Sequence, residues 1–181
     1  MPSDSGISPR IIVILTIPVI LFILMLAVSS TPITPHQMDL QIQEYQKDTL
    51  NTESLKGKIL YVEFFATWCI GCKEITENMK SVLSNSSFNN QDDFVVLSVS
   101  VDSHDTDPAL TLFINQYGLS NFTNSGQWIF GRDNQEQRVL YNVALIPHSF
   151  IVAKNGTILD DHVGITETNT MYSWIELARS G

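Results

Sequence analysis

The chain has 181 residues, of which 44% are hydrophobic and 16% charged, and its formal net charge is −9 at pH 7. This length provides for one globular domain and a targeting segment, but hardly for two domains. Proteins that bind nucleic acids carry basic surfaces, so the acidic balance argues against nucleic acid as a partner.

Residues 11–28 form an apolar run whose only polar side chain is that of Thr16. A helix needs about 20 such residues to cross a bilayer, whereas the apolar part of a signal peptide has only about 7–15. The run therefore predicts a transmembrane anchor. The alternative is a signal segment, because Ala27, Val28 and Ser29 supply small residues at a possible cleavage site.

The charges around this run predict its orientation. Arg10 precedes the run, and the first charged residue after it is Asp39. Since positive charges stay on the cytoplasmic side, residues 1–10 are expected to be the cytoplasmic tail of a single-pass protein of the cell membrane. Residues 29–37 then form a polar linker, and residues 38–181 form the extracytoplasmic domain.

The next elements are predicted from their periodicity. Residues 38–56 alternate apolar and polar side chains in part, which predicts a short N-terminal hairpin or an irregular lead-in. Residues 59–66 are an apolar run that predicts a buried strand. A helix is expected from about Cys69 to Asn85, because apolar residues recur there at helical spacing.

Residues 94–101 predict a second buried strand, which is expected to lie parallel beside the first. Asp107 and Pro108 then begin a helix that ends at Gly118. We expect residues 121–137 to be rich in loops.

The last part of the chain predicts an antiparallel hairpin followed by a helix. Residues 149–153 and 157–163 are the two expected strands, and the turn Lys154-Asn155-Gly156 joins them. Residues 167–179 carry apolar side chains on one helical face and predict the closing helix.

Both cysteines of the chain lie in the pentapeptide WCIGC, residues 68–72, at the junction between the first buried strand and its helix. Two thiols at this spacing can form a disulfide across one helical turn, and a helix N-terminus favours the reactive thiolate. A disulfide that closes so small a loop contributes little stability. Because no third cysteine is present, the pair is predicted to be either a redox couple or half of a metal site.

Two segments resemble a known family. The segment KGKILYVEFFATWC, residues 56–69, resembles the first core strand and active-site entry of thioredoxin-like proteins, in particular the membrane-tethered TlpA/ResA-type thiol-disulfide oxidoreductases. The segment YNVALIPHSFIV, residues 141–152, is similar to the family's cis-proline and the strand that follows it. The resemblance covers about residues 50–180. It implies an α/β thioredoxin-like fold with a central mixed sheet flanked by helices, and an αβ insertion within residues 103–140, before the cis-proline strand.

The resemblance also implies catalytic roles. Cys69 would be the attacking nucleophile and the more exposed thiol, and Cys72 would resolve the mixed disulfide. Glu63 matches a buried acidic residue that accepts a proton from the resolving cysteine. The alternative for Glu63 is an exposed position paired with Lys58 or Lys73.

Three residues are expected to contact substrates. Pro147 matches the family's cis-proline, which orients the backbone of Ile146 so that a substrate strand can pair beside the thiols. An ordinary trans-proline is the alternative. Trp68 is expected to pack beside the site and shape substrate contacts, and a plain core position is its alternative.

The expected activity is extracytoplasmic thiol-disulfide exchange, with the reductase direction preferred and the oxidase direction left open. No cofactor is expected beyond the Cys69-Cys72 disulfide. The resemblance implies exported, cysteine-containing client proteins and a membrane protein that donates or accepts electrons. Three N-glycosylation sequons, at Asn85, Asn121 and Asn155, would suit such a location.

His148 departs from the family pattern, which usually has threonine beside this proline. Cys69, Cys72 and His148 would suit copper(I), as in Sco-type copper-delivery proteins of the same fold. We also expect a lone loop histidine to be solvated or hydrogen-bonded. A client-binding module whose thiols only trap partners is a third alternative.

Overall fold

The structure is a computed structural model that describes residues 37–85 and 92–181. The predicted tail, the predicted anchor and nearly all of the predicted linker lie outside these ranges and stay predictions. Residues Pro35–Gly181 form one compact unit. Within the described ranges, no helix combines the length and the apolar character that a membrane crossing requires.

A mixed β-sheet organises the domain, as predicted. Its strands are, in chain order, β1 (Gln41–Glu44), β2 (Thr49–Asn51), β3 (Ile59–Phe65), β4 (Phe94–Ser100), β5 (Trp128–Arg132), β6 (His148–Val152) and β7 (Ile158–Val163). The order across the sheet is β2-β1-β5-β4-β3-β6-β7. Strands β3, β4 and β5 are parallel to one another, and the other pairings are antiparallel. The predicted N-terminal hairpin is therefore present as β1 and β2.

Helices connect these strands. They are α1 (Ile70–Ser84), α2 (Asp107–Gln116), α3 (Ser120–Ser125), α4 (Gln137–Leu140) and α5 (Thr168–Ser180). A 3₁₀ turn, Thr52–Leu55, precedes β3. The predicted helices at Cys69, Asp107 and 167–179 are confirmed as α1, α2 and α5.

Side chains of β3 alternate between two hydrophobic clusters, one on each face of the sheet. Tyr61 and Phe65 join the cluster that α1, α2 and α5 cover. Val62 and Phe64 join the second cluster on the opposite face. All seven residues of β3 are buried, which explains why this strand is apolar on both faces except at Glu63, rather than alternating between apolar and polar residues.

The prediction that residues 121–137 are mostly loop is wrong. This stretch contains α3 and β5, and β5 pairs in parallel with β4 from Val96↔Trp128 to Ser100↔Arg132. A glycine inside a strand weakens the local strand signal. Gly131 lets β1 lie close to β5, because a Cβ atom there would lie 2.5 Å from Ile42 Cδ1 and 3.0 Å from the backbone oxygen of Gln43.

The predicted hairpin at the end of the chain is confirmed as β6 and β7, and β7 is a terminal strand of the sheet. Asp160 of β7 accepts a hydrogen bond from Trp174 Nε1 of α5 at 2.9 Å. Asp161 Oδ2 is hydrogen-bonded to His148 Nε2 at 2.8 Å. The two carboxylates are therefore fixed by side chains of other elements.

Candidate active site

A disulfide joins Cys69 to Cys72 at the N-terminus of α1. Cys69 is the N-cap residue, and its Sγ accepts a hydrogen bond from the backbone N–H of Cys72 at 3.2 Å. Cys69 is 6% exposed and Cys72 is fully buried. The thiol predicted to attack is thus the one nearer to solvent, and the helix N-terminus offers N–H groups that stabilise a thiolate.

The peptide bond between Ile146 and Pro147 is cis, as the resemblance implies. Pro147 lies against the cysteine-bearing turn: a Cβ atom at Gly71 would meet Pro147 Cδ at 3.3 Å and Ile165 Cγ1 at 3.4 Å. Gly164 N donates to Pro147 O at 2.8 Å, which holds Gly164 and the adjacent Ile165 beside the proline. The missing side chain of Gly71 therefore allows the proline loop to close on the disulfide.

Large apolar side chains around the disulfide are exposed. We call Trp68, Ile70, Leu145 and Ile165 the apolar rim; their exposed fractions are 63%, 83%, 67% and 37%. Trp68 and Ile70 adjoin Cys69 in the chain, and Leu145 lies in the loop that leads to the cis bond. Clustered exposed apolar groups mark interaction sites.

Trp68 does not occupy a core position, so that alternative is wrong. The indole Nε1 of Trp68 donates a hydrogen bond to Asp102 Oδ2, in the segment that follows β4. The indole is therefore largely exposed, while its N–H group is held by a hydrogen bond.

Glu63 is buried in the middle of β3, with 1% of its surface exposed. The alternative of an exposed position paired with lysine is therefore wrong. Because Tyr61 and Phe65 on either side of it face α1, Glu63 faces α1 as well. Its catalytic role stays a prediction.

The surroundings of Glu63 determine its protonation. Burial raises the pKa of Glu63 well above its ordinary value, and a hydrogen bond from Ser98 opposes that rise in part. Glu63 Oε1 has no hydrogen-bond partner among the described residues. The neutral carboxylic acid is thus favoured, and one oxygen is free to exchange a proton.

Sequence reasoning missed the hydroxyl groups that surround this carboxyl. Ser98 of β4 and Ser149 of β6 are the direct cross-strand neighbours of Glu63. Ser98 Oγ accepts from Trp128 Nε1 at 2.9 Å, which leaves its hydroxyl proton available for Glu63. Tyr61 donates to Ser149 Oγ at 2.8 Å, and burial raises the pKa of this tyrosine. A serine inside an otherwise apolar buried strand was the available signal.

His148 is hydrogen-bonded, which is one of the two expected alternatives, since its Nε2 lies 2.8 Å from Asp161 Oδ2. It does not lie in a loop, however, and it is not solvated. His148 is the first residue of β6, is 5% exposed and stacks on Phe150 with 4.4 Å between ring centroids. Because it pairs with Phe64, it faces the second cluster, away from Cys72. Within the described ranges, no three His, Cys, Asp or Glu side chains are grouped closely enough to hold a metal ion. The copper site with both cysteines and His148 is therefore not formed in this structure.

Comparisons with known proteins agree with this geometry. The family model described as thioredoxin-like matches residues 57–158. The thiol-disulfide oxidoreductase ResA of Bacillus thuringiensis (strain Al Hakam) is 27% identical over 125 residues, which is 68% of this chain and 65% of ResA. The thiol:disulfide interchange protein CycY of Rhizobium leguminosarum bv. viciae is 27% identical over 115 residues, 64% of this chain and 55% of CycY. The chain thus spans less than two thirds of the length of these curated relatives.

Solved structures share the fold. A thiol:disulfide interchange protein described as putative DsbE, from Chlorobium tepidum, superposes with a TM-score of 0.63 at 20% identity, covering 79% of this chain and 94% of that one. StoA from Bacillus subtilis superposes with a TM-score of 0.57 at 18% identity, covering 77% and 97%. At these identities the similarity shows the fold alone.

Proposed function

Because the chain belongs to the thioredoxin-like family, we propose that it is a thiol-disulfide oxidoreductase whose Cys69 and Cys72 exchange disulfides with cysteine-containing proteins. The observation that carries this proposal is the Cys69-Cys72 disulfide at the N-terminus of α1, with cis-Pro147 packed against the turn that holds both cysteines. The curated relatives of similar sequence are named as thiol-disulfide oxidoreductases, which supports the same activity.

The reaction has two exchange steps in the reducing direction. The thiolate of Cys69 attacks a client disulfide, so that the client S–S bond breaks, a mixed disulfide forms and one client thiolate leaves. The thiolate of Cys72 then attacks Cys69 Sγ and releases the second client sulfur. The client gains two electrons, and the protein retains the Cys69-Cys72 disulfide. The oxidising direction runs the same steps in reverse.

Glu63 serves the second step. Cys72 is fully buried and must lose its proton before it attacks. Once Glu63 has ionised, its carboxylate, on the same face of the sheet, can accept that proton, and its raised pKa makes it a stronger base than an exposed glutamate. The unpartnered Oε1 of Glu63 supports this role.

The cis peptide bond and the apolar rim form the client site. The backbone at Ile146 would pair with an extended client segment, in the manner of an added strand, and the cis bond that follows Ile146 supports this role. The exposed rim side chains, Trp68 among them, favour clients that carry apolar residues next to the reacting cysteine.

The proposal places this domain outside the cytoplasm, tethered by residues 11–28. Its clients are then exported proteins, and its electrons come from, or go to, a membrane protein. The dithiol itself carries the electrons, so no further cofactor is required. We favour the reductase direction.

The reduction potential of the Cys69-Cys72 couple tests the proposal. The full-length chain, in detergent and free of metal, would be equilibrated with dithiothreitol and glutathione buffers, and the fraction of free thiol measured. A reduction potential of about −270 mV indicates a reductase, and one of about −120 mV indicates an oxidant. A pair that never cycles between the two states contradicts the proposed function and leaves client trapping or copper binding to be tested.

A further inference from the structure

The segment between β4 and α2, residues 101–106, lies against the residues that immediately precede Cys69. Val101 N donates to Phe65 O at 2.9 Å, which extends the pairing of β3 and β4 beyond the strands. Asp105, only 2% exposed, accepts hydrogen bonds from Thr67 N at 2.9 Å and from Ser100 Oγ at 2.6 Å. The Thr67 hydroxyl also donates to Asp105. A buried carboxylate requires such donors, so the segment and Thr67 are fixed to each other.

Asp102 holds the next residue, Trp68. Its carboxylate accepts from Trp68 Nε1 and from the backbone N–H of His104, the latter at 2.8 Å. The hydrogen bond from the His104 backbone, followed by that from Trp68, lowers the pKa of Asp102 to about 2. Asp102 is therefore an anion throughout the physiological pH range, and its hydrogen bond to the indole is charge-assisted.

Trp68 is both exposed and hydrogen-bonded. It is 63% exposed beside the nucleophilic Cys69, yet its N–H is bound to a carboxylate. An exposed aromatic ring without such a partner changes rotamer freely, and a client would have to order it on binding. Fixing the ring beforehand removes that entropic penalty.

We propose that Asp102 is a positioning residue for client binding, which holds the indole of Trp68 as a fixed wall beside Cys69 against which an apolar client side chain packs. This inference rests on the proposed exchange reaction and deepens it by naming a determinant of client recognition. Asp105 and Thr67 keep the base of the wall in place.

Two substrates separate positioning of Trp68 from general damage to the site. The full-length chain would be reduced with dithiothreitol, freed of reductant and mixed in single-turnover reactions with insulin or with 5,5′-dithiobis(2-nitrobenzoate). Insulin is a protein disulfide that must pack on the surface, whereas the small disulfide needs only access to Cys69. If the unaltered chain reacts with neither, the proposed function fails, and the inference fails with it.

Asp102→Ala is expected to slow the reaction with insulin about five- to tenfold, within the ~100-fold that misplaced binding groups can cause. Its reaction with the small disulfide should change less than twofold. Asp102→Asn keeps an oxygen acceptor for the indole and should stay within about twofold of the unaltered chain. His104→Ala removes a second side chain that is hydrogen-bonded to the Asp102 carboxylate, and it is the matched control, with both rates expected to stay unchanged.

Trp68→Phe removes the same hydrogen bond from the other side. It should reproduce the loss that is specific to insulin, and Asp102→Ala should add nothing in that background. The inference is overturned if Asp102→Ala slows both substrates equally, if it slows neither, or if its effect persists in the Trp68→Phe chain. Should Asp102→Ala fail to fold in a thermal unfolding check, an unchanged rate of Trp68→Phe with insulin would overturn it equally.

Discussion

On the outer side of the Cys69-Cys72 disulfide the large neighbouring side chains are apolar and exposed, as in Ile70 and Leu145. On the inner side, the face of the sheet beneath α1 carries a buried carboxyl, Glu63, between two serines. The two cysteines thus work in different surroundings. On the proposed function, contact with a client would take place at the outer surface near Cys69, and proton transfer to and from Cys72 would take place in the interior.

The largest effect should come from replacing one of the two cysteines at a time. Cys72→Ser removes the resolving thiol, so mixed disulfides through Cys69 should accumulate and turnover should stop. Non-reducing electrophoresis and mass spectrometry of trapped adducts measure this. Cys69→Ser is the control and should trap no client. Mixed disulfides that accumulate in the unaltered chain as much as in Cys72→Ser would show that the thiols only trap partners.

The next largest effect concerns the inner side. Glu63→Gln keeps the shape of the side chain and removes the base, so resolution of the mixed disulfide should slow about 100-fold, the lower end of general-base effects. The rate of the unaltered chain should rise with pH as Glu63 ionises, and that dependence should disappear in the variant. Stopped-flow rates between pH 5 and 9 test this. A variant that keeps the original pH profile would remove Glu63 from the mechanism.

Glu63 should also make stability depend on pH. Because its pKa is raised in the folded state, the folded chain holds this proton more tightly than the unfolded chain does. The contribution to stability is complete below the ordinary glutamate pKa and is lost as pH rises through the folded pKa. At pH 8, Glu63→Gln should therefore be more stable by roughly 1–3 kcal/mol, the usual penalty of an uncompensated buried polar group. Urea unfolding of the oxidised chains at pH 5 and 8 measures the difference.

The outer side should respond to loss of apolar surface. Leu145→Ser should slow single-turnover reduction of insulin about tenfold, since half-burying a leucine contributes ~1.4 kcal/mol. The reaction with a small disulfide should not change. Leu177→Ser on α5 is the matched control, because Leu177 is 50% exposed but lies near the C-terminal end of that helix. Equal losses in both variants would mean that the rim does not select clients.

The smallest effect should come from adjusting Glu63 rather than removing it. Ser98→Ala deletes the hydrogen bond that lowers the pKa of Glu63, so this pKa should rise further. In the pH range where the rate of mixed-disulfide resolution rises as Glu63 ionises, that rate should fall about fivefold at a given pH, as expected for a ~1 kcal/mol hydrogen bond. Ser149→Ala removes the acceptor of the Tyr61 hydroxyl and should leave the pH dependence of this rate unchanged.

Local sequence signals predicted the parts of the fold and site that depend on neighbours in the chain. The apolar run of β3 and the cysteine spacing at the start of α1 carry their own pattern, and the segment around Pro147 resembles the corresponding segment of a known family. The structure shows each of them where the pattern predicted it.

Features that depend on strand pairing were not predictable in this way. His148 is buried because β6 pairs with β3 and β7, and the residues near His148 in the chain do not predict that burial. The sequence around Gly131 is typical of a loop, although its strand, β5, lies inside a continuous sheet between β1 and β4. Ser98 and Asp102 matter because β4 lies beside β3, which brings them to Glu63 and Trp68. The pairing of the two strands was predicted, but not which side chains it would bring together.

A terminal strand leaves its outer backbone groups open to any chain that can add a strand. Within the described residues, β7 is such a strand, and its exposed Asp160 and Asp161 are held from opposite faces of the sheet by Trp174 and His148. A second copy that aligned with β7 would bring its own two carboxylates beside these, and the like charges oppose such self-association. On the proposed function, the domain would offer backbone pairing to a client beside Pro147, while the charges at its outer edge oppose polymerisation.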